Sequence, residues 1–357
     1  MMFNSDQFQI AYEDSLSDQH STSSKSPIKF WKIKRPSYEH KIFLNRRKNT
    51  CNTNADRLFK CLTRKDIYRM LNLEDNEFNR MKHPIFTIKY YQHNLYITLL
   101  NFPYIFVEDS FGIKIIHINH KTDIFPIKFT FSPKGIYIIG RELNQDQKSL
   151  ALFLNNKGIV EHTTKLFDYE RYADVAIENK DSLYMIIRRI PDTDSISSLI
   201  ILSDNFNTKY SSFNFGRNFP EWNFRFLFKD NLNNLLWIII KPKDTQRQSF
   251  GLLLINLNYL KKNESIKFDH YIREGIGITF ADISDDGEIF IFDKVTNKLF
   301  SLTFEIQKKE IRMKSLAKFN EFCEISSICF GRENDEKIIF LVIDGDIYRF
   351  YLENISY

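Results

Sequence analysis

The chain is poor in the residues that mark several protein classes. Four cysteines, Cys51, Cys61, Cys323 and Cys329, stand in 357 residues with no zinc-type spacing. They are too few for a disulfide framework of this size and read as reduced thiols of an intracellular protein. Glycine (11) and proline (9) are scarce, so turns fall to Asp and Asn as much as to Gly. The longest apolar runs, such as Leu235 to Ile240 and Leu252 to Ile255, are strand length and far short of a membrane span. Met1 to Tyr12 is polar and lacks an apolar signal core. A soluble protein of the nucleus or cytoplasm is expected, with the nucleus favoured, and no membrane partner. Net charge is +5, from 50 basic and 45 acidic residues, which leaves no footprint for direct nucleic-acid binding. Nucleophile elbow, P-loop, dinucleotide fingerprint and paired catalytic motif are all missing. Hence no catalytic residue, cofactor or metal is assigned, and the expectation is a protein that is not an enzyme.

What is abundant points to sheet. Phe (34) and Tyr (17) are heavily used and 43% of residues are apolar; aromatic and β-branched side chains suit half-buried pleated surfaces. Residues 1–27, rich in Ser, Asp, Gln and Asn, have the composition of a disordered polar tail. Residues 28–82 form a basic segment with one or two strands, IKFWKIK and KIFLN, followed by a helical pattern from Asn52 to Met81.

Residues 83–357 carry a repeat. Six times an alternating strand leads through a short polar turn into a strongly apolar one, as in FTFSPKG–IYIIG and ADISDDG–EIFIF. Turn markers Asn94, Gly135, Asp181, Asn234, Gly287 and Glu336 are spaced by 41, 46, 53, 53 and 49 residues. A period near 40 to 50 residues with about four strand signals per unit resembles the broad β-propeller class. The resemblance is WD40-like in architecture, without the Trp-Asp and Gly-His signatures. An irregular β-sandwich is the alternative. The implied fold is all-β, a six-bladed propeller, with seven blades as the alternative, and a short N-terminal helical segment. DIYRFYLENISY supplies only a third strand to the last unit, so an N-terminal strand is expected to complete it and close the ring; two N-terminal strands in a further partial blade would make seven.

Few residues suggest chemistry. His117 and His120 lie three apart without a third ligand nearby, and His162 and His270 are isolated. Asp174, Asp282 and Glu324 occupy comparable inner-strand ends, where some propeller enzymes bind calcium or substrate on the axis, but they do not repeat around the ring, and strand-end solvation or turn capping is the preferred reading. Lys32, Lys34, Arg35 and then Arg46, Arg47, Lys48 resemble a bipartite nuclear-localisation signal, which implies an import receptor as partner. RLFKCLTRKDIYRML, with Leu58, Leu62 and Ile67, is similar to the later part of an F-box, although the leading Leu-Pro pair of that motif is missing. That resemblance implies an adaptor-binding helix and a substrate receptor of a ubiquitin ligase. Connections 189–195, 215–223 and 241–249 are candidate partner loops. Within them Arg217, Phe219, Trp222 and Arg247 have the aromatic and Arg chemistry of binding hot spots, although Trp222 equally fits a core strand. The leading expectation is a non-enzymatic protein-interaction scaffold, a subunit of a multiprotein complex of the nucleus or cytoplasm; an axial ligand site is the rival.

Overall fold

A computed structural model describes residues 58–62 and, apart from short breaks in connecting segments, 85–352; within 58–62 and 170–214 it describes the backbone only. The strands of the described residues fall into six four-stranded antiparallel sheets. The first sheet is β2 (Ile85–Tyr91), β3 (Asn94–Leu99), β4 (Tyr104–Asp109) and β5 (Gly112–His117). Next come β6 (Ile124–Ser132), β7 (Gly135–Glu142), β8 (Ser149–Asn155) and β9 (Val160–Lys165), then β10 (Glu170–Ile177), β11 (Ser182–Arg189), β12 (Ser197–Ser203) and β13 (Lys209–Asn214). The fourth holds β14 (Trp222–Asp230), β15 (Leu235–Pro242), β16 (Ser249–Asn256) and β17 (Asp269–Glu274). The fifth holds β18 (Phe280–Ile283), β19 (Ile289–Asp293), β20 (Lys298–Glu305) and β21 (Glu310–Lys318). The last contains β22 (Ile325–Glu333), β23 (Glu336–Ile343) and β24 (Asp346–Tyr351), and its fourth strand is β1 (Leu58–Leu62).

The first strand of each sheet touches the first strands of both flanking sheets, so β2, β6, β10, β14, β18 and β22 form a closed inner ring. The chain is therefore a β-propeller. Apolar side chains fill the layers between neighbouring sheets. Cys329, Ile338, Phe340 and Ile347 pack on Ile88, Ile97 and Phe106, while Phe226, Trp237 and Leu252 pack on Ala281, Ile289 and Leu302. Middle strands are covered on both faces, which is why LLWIII and KIIFLV read as unbroken apolar runs. Outer strands are covered on one face at most, and β9 alternates between half-buried and exposed residues.

Closure is made by an N-terminal strand, but by a different one from either expected. Leu58, Phe59, Lys60 and Leu62 pair with Phe350, Arg349, Tyr348 and Ile347, so LFKCL covers the edge of β24. IKFWKIK and KIFLN lie outside the described residues. This corrects the helical reading at Leu58–Leu62; the rest of the Asn52 to Met81 pattern lies outside the described residues. Leu58 and Leu62 have helical spacing, yet the open edge of β24 offers ladder hydrogen bonds that a lone short helix cannot match. Among the described residues the only helical element is a 3-10 turn at Leu257–Tyr259. Ile67, the third adaptor-helix candidate, lies outside the described residues, as do all six basic residues of the nuclear-localisation pattern.

Candidate functional site

The inner ring sets up the first candidate site. In five of the six first strands the ladder slips by one residue near the start, opposite Phe86, Ile127, Arg171, Arg225 and Ser326. Such bulges bend a strand and re-aim the side chain at the extra position. They recur near the starts of the inner strands, at one end of the ring.

Inner-edge strands leave backbone groups facing the axis, and those groups need partners. Two side chains supply them across neighbouring strands. Thr87 donates its hydroxyl to the Ile127 carbonyl at 3.2 Å, and Asp282, 5% exposed, accepts the Phe330 N–H at 2.8 Å. Asp282 also accepts from Lys89 Nζ at 2.5 Å. One carboxylate thus ties β18 to β22 and β2.

Lys89 reaches further. Its ammonium lies 5.8 Å from the centroid of Phe228 on β14, the strand opposite β2 in the ring, so this side chain crosses the channel. Lys128 of β6 extends over Phe226 of β14, 5.4 Å from its centroid. The two phenyl rings are stacked, 6.0 Å apart and 7° from parallel. The lumen is therefore lined by lysine and phenylalanine together with Asp282. Of the axial candidates read from the sequence, Asp282 alone has a described axial partner. Glu324 stands just before β22 and donates its backbone N–H to the Asp344 carboxylate at 3.1 Å, and the side chain of Asp174 lies outside the described residues. Among the described residues no group of three or more His, Cys, Asp or Glu is placed to hold a metal ion. His117 packs against the Tyr104 ring at 5.1 Å, His162 on Phe153 at 6.1 Å, and His120 meets the Thr122 hydroxyl at 3.3 Å.

The second candidate is a corner of the fourth sheet, where the loops before β14 and between β15 and β16 meet. Three of the four proposed contact residues converge there; Arg217 lies outside the described residues. Trp222 is a core residue of β14, 8% exposed. Its ring is capped from outside by the Arg247 guanidinium at 5.5 Å, and Arg247 is held by Glu274 at 2.6 Å. Phe219 packs on the same core layer and meets His270 edge-on at 6.2 Å. His270, Ile272 and Glu274 alternate along β17 and so share one face. Ile272 is 50% exposed, which leaves an apolar residue between the Phe219–His270 and Arg247–Glu274 pairs. Composition alone missed Ile272, because an apolar residue in an outer strand looks like any other strand residue.

At the opposite end of the strands an ionic network ties the fifth sheet to the last. Arg332 grips Asp285 with two hydrogen bonds of 3.0 Å, and Lys337 bridges Asp286 (2.6 Å) and Glu288 (3.1 Å). Tyr90 donates to the Arg332 carbonyl at 3.0 Å, and burial, aided by Glu333, pushes its hydroxyl up to about 12. Burial pushes the Asp286 carboxyl up, but hydrogen bonds from Lys337 and Ser284 outweigh it and hold the group below its usual 3.8. Burial likewise opposes the charge of Lys337, yet Asp286 and Glu288 raise it above 10.5. A depressed carboxyl stabilises the fold above its ordinary value and loses that contribution as pH falls through the folded one. A raised ammonium stabilises below its ordinary value and loses that contribution as pH climbs through the folded one. The contact is therefore at full strength between about pH 4 and pH 10. Asp286→Asn is expected to flatten the acid limb of a stability-against-pH curve while costing no more than about 1 kcal/mol at neutral pH, since the pair is partly solvated. Urea midpoints from pH 3 to 7 check this; an acid limb as steep as that of the unaltered protein would refute it.

No protein-family model and no curated protein matches the chain. Solved structures do show a likeness. One is the β-propeller domain of Myceliophteria thermophila Cps50 (Swd1), at 9% identity and TM-score 0.48 over 76% of this chain and 98% of that one. Another is the PQQ-bound aldose sugar dehydrogenase of Streptomyces coelicolor, at 11% identity and TM-score 0.49 over 76% and 95%. A third is a catalytically inactive virginiamycin B lyase from Staphylococcus aureus with quinupristin, at 12% identity and TM-score 0.47 over 75% and 80%. The likeness is one of overall shape and says nothing of activity. No helix among the described residues is long and apolar enough to cross a membrane.

Proposed function

We propose that the protein is a non-enzymatic platform that binds another protein through the rim of the fourth sheet. A closed ring of sheets holds its loops rigidly, and a rigid loop surface is suited to recognition. The observation that carries the reading is the corner itself. A half-exposed Ile272 lies between the Phe219–His270 and Arg247–Glu274 pairs, with the Trp222 ring beneath. Aromatic and Arg side chains that are already ordered lose little entropy when a partner lands on them. The carboxylate of the channel, Asp282, is taken up by Lys89 and the Phe330 N–H, which supports a structural role for it. Service in a nuclear complex rests on the two basic clusters from Lys32 to Lys48, and replacing Arg46, Arg47 and Lys48 by Ala should shift the tagged protein to the cytoplasm. The ubiquitin-ligase reading is not carried forward, because Leu58 and Leu62, two of its three adaptor-helix residues, lie in the strand β1.

The test is affinity purification with Arg247→Ala and Ile272→Glu, both at exposed positions and both expected to cost no more than about 1 kcal/mol of stability. Each should reduce recovery of a defined partner at least tenfold, as hot-spot substitutions do. A partner retained by both variants would overturn the rim as the contact surface, and recovery of no partner would overturn the platform reading.

A further inference from the structure

The outer strands of the six sheets do not leave equivalent edges. β1, β9, β13 and β21 each carry a bulge in the pairing with the strand inside them, at Cys61, Glu161, Tyr210 and Leu316. A bulge twists an edge and blunts it for further pairing. β5 and β17 run without one. β5 turns Ile113, Ile115 and Ile116 onto the cores beside it. β17 is exposed at every residue but Tyr271, which lies against Phe304 of the next sheet. It pairs with β16 alone, so its second edge is open among the described residues.

The ladder fixes which backbone groups face that edge. Gly275 donates its N–H to the Gln248 carbonyl at 2.7 Å, in register with Glu274 opposite Ser249. Backbone groups alternate along a strand, so Arg273, Tyr271 and Asp269 also turn theirs to β16. Those of His270, Ile272 and Glu274 point outward, and their side chains share the face on which Ile272 is 50% exposed. An antiparallel strand added here must bring residues whose own backbone groups face the edge. A second β17 does so when Ile272 stands opposite Ile272, His270 opposite Glu274 and Tyr271 opposite Arg273. No like charges then meet, and the exposed apolar residue is covered by its twin. The neighbouring registers with matched backbone groups are poorer. Centred on Tyr271, the pairing sets Ile272 against His270; centred on Arg273, it sets that cation against itself.

We propose that the protein forms a symmetric dimer in which the β17 edges of two copies pair antiparallel about Ile272, joining two fourth sheets into one. A two-fold contact is isologous, so each bond made by one copy is repeated by the other. Ile272 exchanges both backbone hydrogen bonds with its counterpart, and His270 and Glu274 exchange theirs on either side. The Ile272 side chain leaves water, and Glu274, still held by Arg247, comes opposite the imidazole of His270. The contact is one strand long, which makes the association weak and concentration-dependent. It names a partner for the rim of the fourth sheet, a second copy of the chain, and rests on the reading of that rim as a contact surface.

Sedimentation velocity of the full chain from about 1 to 200 μM tests the pairing. A monomer–dimer equilibrium with Kd on the order of 10 μM is expected. Ile272→Pro removes the N–H beside the two-fold axis but none that β16 uses, and should weaken the dimer at least tenfold. Ile272→Cys should give a reducible covalent dimer on mild oxidation, since the paired Cα atoms lie about 5.5 Å apart, within disulfide reach. Arg273→Cys, on the other face and offset from its own counterpart, should give no more covalent dimer than the unaltered chain. The cysteine variants keep the test decisive if the proline variant folds poorly. A chain that stays monomeric at the highest concentration, a dimer undiminished by Ile272→Pro, or equal cross-linking of the two cysteine variants overturns the proposal. A monomer that still captures another protein through Arg247 and Ile272 overturns the pairing and leaves the platform reading standing.

Discussion

Asp282→Ala is expected to destabilise the protein by about 3 kcal/mol, the joint cost of an orphaned buried N–H and a lost ion pair. The carboxylate is 5% exposed and is the acceptor of the Phe330 N–H on the neighbouring inner strand. Without it that N–H faces the channel unsatisfied. Its second partner, the Lys89 side chain, keeps 28% exposure and regains part of its hydration, so the whole cost of a fully buried broken pair is not reached. Asp282→Asn retains an acceptor for Phe330 and should lose about half as much. Lys89→Met leaves a buried carboxylate with one described donor fewer and should cost about 2 kcal/mol. The double variant Lys89→Met with Asp282→Asn should recover part of the sum, as coupled neighbours do. Urea unfolding followed by tryptophan fluorescence measures all four. Single variants within about 0.5 kcal/mol of the unaltered protein would show that the pair does not hold the ring.

A second large effect is expected at Gly287, and a matched control isolates its cause. Gly287 and Gly275 have nearly the same left-handed backbone, φ +82 and +80. A side chain at either costs about 1 to 2 kcal/mol in backbone strain. Their surroundings differ. A Cβ at Gly275 would meet nothing within 4 Å, whereas at Gly287 it would lie 2.7 to 2.9 Å from the carboxylate of Asp230. That carboxylate cannot easily move aside. It is 1% exposed and accepts from the Asn233 amide and N–H at 2.7 and 3.0 Å and from Trp237 Nε1 at 3.5 Å. Gly287→Ala should therefore cost about 2 kcal/mol more than Gly275→Ala, the scale of an overpacked site. Equal losses in thermal unfolding would show that the turn of the fifth sheet relaxes away from the fourth.

Some of this was legible in the residues. The strand pairs FTFSPKG–IYIIG and ADISDDG–EIFIF appear as β6–β7 and β18–β19, because consecutive antiparallel strands pair locally through short turns. Trp222, which fits a contact loop or a core strand by sequence, is buried in β14, with Arg247 and Phe219 gathered round it. Leu58 and Leu62 show the limit. Four residues apart, they satisfy helical periodicity, and nothing near them in the chain contradicts it. The deciding partner is β24, at the other end of the chain.

Asp282 marks the same boundary for function. As a carboxylate near an inner-strand end it could be singled out by type, but its role could not. Lys89 stands 193 residues away in an ordinary amphipathic strand, and only closure of the ring brings the two together. Sequence alone thus determined the class of fold, the local strand pairs and the lack of a recognisable catalytic motif, since these depend on composition and on neighbours within a few tens of residues. Tertiary structure alone decided which strand completes the last sheet, that the axis carries lysine over stacked phenylalanine, and that Ile272 lies between the two pairs of the rim. Each of those depends on which strands become neighbours when the ring closes, and side-chain spacing along a chain carries no record of that.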